Sequence, residues 1–312
     1  MDSFTIELAA IPQKLRDSIA RDLSCYMVGL LSIKNTSQGE QIKLIGSGTL
    51  ITFGNVSGIL TAAHVLRELK LDTALGLIVP GVERPIEDNT PKIPVKYLSD
   101  GIIGAIGHSE SEGPDLSFLH IPTTAIPGVI KAKKSFFDIC SHRELNSQQP
   151  LGNDFGVWFI CGFPDEFTKV EESSRGFDEV RGFLGLCVPA SGISREVTIE
   201  QSFNYFYSLM ELKQLGNLTS PIVSGRFDYF ELPVECRIGD KALSSYGGVS
   251  GGGLWQVPLN RDEKEKLIWG DPILSGVAFY EYPTENGMNI KCHGRHSIYQ
   301  YLFGMLKEKR GS

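Results

Sequence analysis

The run Gly247-Gly248-Val249-Ser250-Gly251-Gly252-Gly253 sets a single hydroxyl among five glycines. A serine hydroxyl is a weak nucleophile alone. It needs a base to take its proton, and amide donors aimed at the oxyanion that forms when it attacks a carbonyl. Glycines let backbone approach a ligand closely, so Ser250 is the first candidate for covalent chemistry.

Two unrelated folds could use this run. Gly248-Val249-Ser250-Gly251-Gly252 satisfies G-x-S-x-G, the strand-serine-helix elbow of α/β-hydrolases, which also needs an acid and a histidine downstream. Asp262, Asp271, His293 and His296 supply candidates, so an α/β-hydrolase esterase is one alternative. Against it, the polar stretch Asp240 to Gly248 precedes the serine, and three consecutive glycines after it disfavour a helix start.

Upstream, Thr61-Ala62-Ala63-His64-Val65 follows the apolar Ser57 to Leu60, and Pro114-Asp115-Leu116-Ser117-Phe118-Leu119 lies between that histidine and the serine. Taken in the order His, Asp, Ser, the three segments resemble the signatures of the chymotrypsin/trypsin-like serine peptidases. The resemblance runs from about Met27 to the end of the chain. It implies an all-β fold of two antiparallel six-stranded β-barrels, with His64 as general base, Asp115 holding the imidazole, and Ser250 as nucleophile. The amides of Gly248 and Ser250 would form the oxyanion hole. It also implies a primary specificity pocket with Ser244 at its base and the strand bearing Tyr280 and Glu281 along its flank. The expected activity is hydrolysis of peptide bonds in a protein or peptide substrate through an acyl-enzyme, with no cofactor and no metal. A catalytically silent, peptidase-like protein-binding module is the rival of a different class.

Val249 departs from the family, whose activated digestive members carry an aspartate there to pair with a newly cut N-terminus. Activation by N-terminal insertion is therefore not expected. The insertions Glu166 to Arg181 and Leu209 to Arg226 suggest instead that loops, or an activating protein partner, regulate the site.

The elements that must position these residues follow from pattern. Ile11, Leu15, Ile19 and Leu23 recur four apart, which predicts an N-terminal helical extension within residues 1–24. Short strand-like runs follow: Cys25 to Ile33, Gln41 to Phe53, Ile59 to Ala63, Lys92 to Tyr97, Leu116 to Ile121, Val157 to Gly162, Phe183 to Pro189, Tyr229 to Val234, Gly253 to Val257 and Ile273 to Tyr282. Many short strands between turn residues predict antiparallel barrels or a sandwich. The peptidase domain is expected over 25–308, with a first barrel at about 25–125, a linker at about 126–150 and a second barrel at about 151–296. A closing helix is expected at about 297–308, with Ile298, Tyr301, Leu302 and Met305 on one face.

With 312 residues, 41% of them hydrophobic, the chain can bury a full core. A formal charge of −7, with only the short basic tail Lys307-Glu308-Lys309-Arg310, argues against a nucleic-acid partner. No stretch approaches the length of about 18 apolar residues that a membrane span requires. Six scattered cysteines without C-x-x-C pairs favour reduced thiols. Together with an N-terminus lacking a charged segment before an apolar run, this predicts a cytoplasmic protein with no membrane association. The sites at Asn35, Asn55 and Asn217 would matter only in a secreted protein. Cys292-His293-Gly294-Arg295-His296 offers three potential ligands, but a fourth is not evident and no metal site is expected. His108, His120 and His142 have no evident partner, and Trp158 and Trp255 are expected in the core.

Overall fold

Two largely antiparallel sheets, each apolar on both faces, contain most of the strands among the described residues. The computed structural model describes residues 11–37, 39–69, 73–79, 92–98, 101–107, 111–126, 128–143, 157–165, 170–172, 178–180, 185–189, 207–208, 221–234, 237–238, 241–242, 245–285 and 287–311. Helix α1 (Gln13–Ser24) comes first. Ile11, Ile19 and Leu23 are buried, and Leu15 packs at the edge of the core, as their spacing predicts.

The first sheet contains β1 (Met27–Thr36), β2 (Gly39–Phe53), β3 (Val56–Thr61), β4 (Thr73–Ile78), β5 (Lys92–Pro94), β6 (Ile102–Ile106), β7 (Asp115–His120) and the two-residue β8 (Phe137–Asp138). Its order is β5-β4-β1-β2-β3-β7-β6, with β8 paired in parallel to β2. The second sheet runs, neighbour to neighbour, through Tyr207–Ser208, Gly185–Pro189, β9 (Val157–Gly162), Gly253–Val257, Ile273–Thr284, Gly287–His293, Phe227–Val234 and Ile222–Ser224. Each sheet therefore carries eight strands where six were expected. The extra strands are short pieces or glycine-containing runs such as β4 and β6, which lack a continuous apolar signal.

Strand alternation divides the core in three. Along β9, Val157, Phe159 and Cys161 point into a cluster shared by both sheets, α1 and the closing helix, whereas Trp158 and Ile160 point into a cluster belonging to the second sheet. Along β1, Met27, Leu31 and Ile33 join the shared cluster, and Val28 and Leu30 join the cluster of the first sheet. Two apolar faces per strand follow from a sheet that curves around one core and packs on another. Full burial of each such side chain contributes about 1.5–3 kcal/mol. Trp158 and Trp255 are both core residues, and Trp255 stacks on Tyr26 at 5.3 Å across the sheets.

The segment read as a linker contains helix α3 (Gly128–Lys133) and β8, so it belongs partly to the first sheet. The closing helix begins as a π-helical turn, Ser297–Leu302, and continues as α-helix, Phe303–Gly311. The wider first turn rotates the buried face to Ile298, Tyr299, Leu302 and Leu306, leaving Tyr301 and Met305 half-buried. No helix among the described residues is long and apolar enough to cross a membrane. Cys25, Cys140 and Cys292 are free thiols, but Cys161 is disulfide-bonded, which corrects the expectation of reduced cysteines throughout. Most of the insertions Glu166 to Arg181 and Leu209 to Arg226 lies outside the described residues, as do His108 and Asn217.

Candidate active site

Strand register brings the histidine and the aspartate together. β3 and β7 pair antiparallel with Thr61 opposite Ser117, so continuing the ladder two residues sets Asp115 across from Ala63 and beside His64. His64 is the second residue of the short helix α2 (Ala63–Arg67). Asp115, 2% exposed, uses both carboxylate oxygens on it: Oδ1 accepts the His64 backbone N–H at 2.8 Å and Oδ2 lies 2.5 Å from His64 Nδ1. One carboxylate thus satisfies an orphan amide of the first helical turn and fixes the ring, leaving Nε2 for chemistry.

Ser250 sits in a tight turn that enters the strand Gly253–Val257, not a helix, so the strand-serine-helix order of the hydrolase elbow is absent here. The turn is hooked to the strand Ile273–Thr284 by Gly251 N–H to Ala278 O (2.7 Å) and Ala278 N–H to Gly252 O (2.9 Å). Val249 is buried in the core of the second sheet, where an apolar side chain fits and an ion-pairing one would not.

The amides of this turn divide into two sets. Gly247, Val249, Gly251 and Gly252 each donate within the protein, whereas among the described residues the N–H groups of Gly248 and Ser250 meet no acceptor. Their peptide planes are nevertheless pinned. Asp165 N–H holds Gly247 O at 2.7 Å, and Gly252 N–H holds Val249 O at 2.8 Å. In a trans peptide the N–H points opposite the carbonyl, so both unused amides are turned outward. Gly248 reaches this orientation at φ +84°, a region L side chains avoid.

Sequence reading missed the residue that ties the serine turn to the first sheet. Ser47, fully buried on β2, donates its hydroxyl to Gly248 O at 2.6 Å and accepts Phe163 N–H at 2.8 Å. Its own N–H donates to Ser250 O at 2.8 Å, and its carbonyl accepts Thr61 Oγ1 at 2.7 Å, three residues before His64. Gly46 beside it lacks a side chain because a Cβ would lie 2.6 Å from Val65 and 2.8 Å from Ser250 O. Nothing in the local sequence around Gly46-Ser47-Gly48 shows what approaches it. Ser47→Ala is expected to cost about 1–3 kcal/mol of stability, because it leaves the Phe163 amide buried without an acceptor. Thermal melting checks this, and turnover should fall alongside it as the serine turn loosens.

Ser250 is not closed onto His64. Ser250 Oγ donates to Phe279 O at 3.5 Å, a long contact, and among the described residues it is not bonded to His64. Ser244 lies outside the described residues. The cleft beside Ser250 is narrow, with a cavity volume of about 40 Å³ between Tyr246, Val249, Phe279, Tyr280, Glu281 and Ile290. Tyr280 and Glu281 line the cleft with Ser250. Glu281 crosses it: Ser245 Oγ donates to Oε1 at 2.6 Å and the Tyr246 amide donates to Oε2. A second carboxylate, Asp165, faces the Gly247-Gly248 backbone, its acidity weakened chiefly by desolvation, with Lys43 opposing and Glu281 adding.

His293, considered above as a metal ligand or a hydrolase histidine, lies behind Asp115, and its Nε2 accepts the Asp115 backbone N–H at 2.9 Å. His142 is held by Asp138 O at 2.7 Å and stacks on Phe137. No group of histidine, cysteine and carboxylate side chains among the described residues is arranged to hold a metal ion. No protein-family model matches the chain, and no curated protein matches it either.

Proposed function

We propose that this chain is a serine endopeptidase built on two antiparallel β-barrels, and that it hydrolyses peptide bonds with Ser250, His64 and Asp115. One observation carries the reading: the buried Asp115 carboxylate orients His64 through two hydrogen bonds, at 2.8 Å and 2.5 Å, and Ser47 ties the same sheet to the turn of a serine flanked by two unused amides. Ser250 Oγ, turned about χ1 from Phe279 O towards His64 Nε2, would attack the substrate carbonyl carbon as Nε2 takes its proton. The oxyanion would be received by the Gly248 and Ser250 amides. His64 would then return the proton to the leaving amine as the C–N bond breaks. Water, activated by the same nitrogen, would release the acyl group.

The resting position of Ser250 on Phe279 also supports latency relieved by loops or a protein partner. The same position favours the second reading, a silent binding module. A fluorophosphonate probe separates the two. Ser250 is expected to label, alone or with candidate partners present, and Ser250→Ala and His64→Ala are expected to abolish both labelling and cleavage. Absence of labelling in every state would support the binding module.

A further inference from the structure

The Cys292-to-His296 motif contains a fully buried polar side chain near the site. His293 ends the strand Gly287–His293, where Met288, Ile290 and Cys292 alternate towards the core of the second sheet, and it faces the opposite way. It is 0% exposed. The Asp115 N–H occupies the lone pair of Nε2, so the ring proton must sit on Nδ1, which faces Ser297 Oγ at 3.3 Å. That hydroxyl has a full set of partners: it accepts from His293 and from Asp228 N–H (3.0 Å), and donates to Asp228 Oδ1 (2.8 Å). Asp228 in turn receives the amides of His296 (3.1 Å) and Ser297 (2.7 Å). The rings of Phe227, Tyr229 and Phe279 surround the imidazole, with Phe279 nearest at 4.7 Å. Burial pushes His293 down to about 3, with Asp115 opposing and Lys291 adding, so the ring stays neutral and able to accept.

We infer that His293 is a positioning residue for the reaction proposed above: its Nε2 fixes the backbone of Asp115, the acid that orients His64, while its ring packs on Phe279, whose carbonyl holds Ser250 Oγ. A single neutral imidazole thereby couples the acid on the first sheet to the nucleophile's neighbour on the second. The inference rests on the peptidase reading for its consequence, but not for its geometry.

The test compares His293→Phe, which keeps a ring but offers no acceptor, with His293→Gln, whose side-chain carbonyl reaches the Nε2 position. Turnover per fluorophosphonate-titrated site is expected to fall about 10- to 100-fold in His293→Phe, the effect of a buried amide left unpaired. KM should change little, and His293→Gln should recover most of the loss. A second readout needs no catalysis. In a Ser250→Ala background, the low-field proton resonance of the His64 Nδ1–H to Asp115 bond should move or broaden in His293→Phe and persist in His293→Gln. Should His293→Phe not fold, nitrogen chemical shifts of the unaltered chain decide: Nε2 of His293 is expected unprotonated and Nδ1 protonated at pH 5. A protonated Nε2, or equal turnover per site with an unchanged His64 resonance in His293→Phe, would overturn the inference. If the parent neither labels nor cleaves but the resonance still responds to His293, the peptidase reading fails and the positioning role stands.

Discussion

Asp115→Asn should fold like the parent and lose about 10⁴-fold in turnover, the size of the same replacement in the known Ser-His-Asp template. The geometry gives the reason. The two carboxylate oxygens accept from two different donors on His64, at 2.8 Å and 2.5 Å, whereas an amide has only one acceptor oxygen. If that oxygen stays on the His64 backbone N–H, the NH2 group faces Nδ1 and forces it to accept. The ring proton then moves to Nε2, the atom that must take the Ser250 proton. If the amide flips, the ring keeps its tautomer but the helix amide loses its partner and faces a donor. Either arrangement leaves the fold standing, since burial and hydrogen-bond number change little. Steady-state turnover with active-site titration measures the loss, and thermal melting checks the fold. A variant within tenfold of the parent would remove Asp115 from the mechanism.

How much of this was legible in the sequence differs by level. The helix α1 face was readable because Ile11, Ile19 and Leu23 repeat at helical spacing and nothing else competes for them. The long strands were readable wherever β-branched and aromatic residues ran together, as in β9. β4 and β6 were not, because Gly76 and Gly104 interrupt their signal. Those glycines are needed where Ile33 and Ser117, respectively, cross at close range, which is a tertiary requirement invisible in a local window. The candidate triad was legible because its three segments, in the order His, Asp, Ser, resemble known peptidase signatures, whereas the pairing of β3 with β7 accounts only for His64 and Asp115. Ser47 and His293 were not, since each acts through atoms more than a hundred residues away. The alternation of Met288, Ile290 and Cys292 was present in the sequence, and it put His293 on the other face. Nothing local told that β7 would cover that face.

Replacing Gly248 with alanine is expected to cost about 10²- to 10³-fold in kcat, the effect of losing one oxyanion donor. A Cβ at this position would meet Phe163 O and lie 2.7 Å from Asp165 Oδ1, so it cannot be accommodated in place. The backbone is also at φ +84°, where an L residue is destabilised by roughly 1–2 kcal/mol. Both strains are relieved together by turning the Gly247-Gly248 peptide over. That rotation breaks the 2.7 Å bond from Asp165 N–H to Gly247 O and swings the Gly248 N–H out of its present direction. Acylation should slow because the carbonyl oxygen loses half of its receptor as charge develops on it. Gly247→Ala supplies the control. Its Cβ would meet only side-chain atoms, Asp165 Oδ2 at 3.0 Å and Ser245 Oγ at 3.2 Å, which can move by a few tenths of an ångström. Single-turnover acylation with an activated ester separates the two variants, and the low-field His64 resonance should persist in both, since neither touches Asp115. Equal acylation rates in Gly247→Ala and Gly248→Ala, or a Gly248→Ala rate within threefold of the parent, would mean that these amides do not receive the oxyanion.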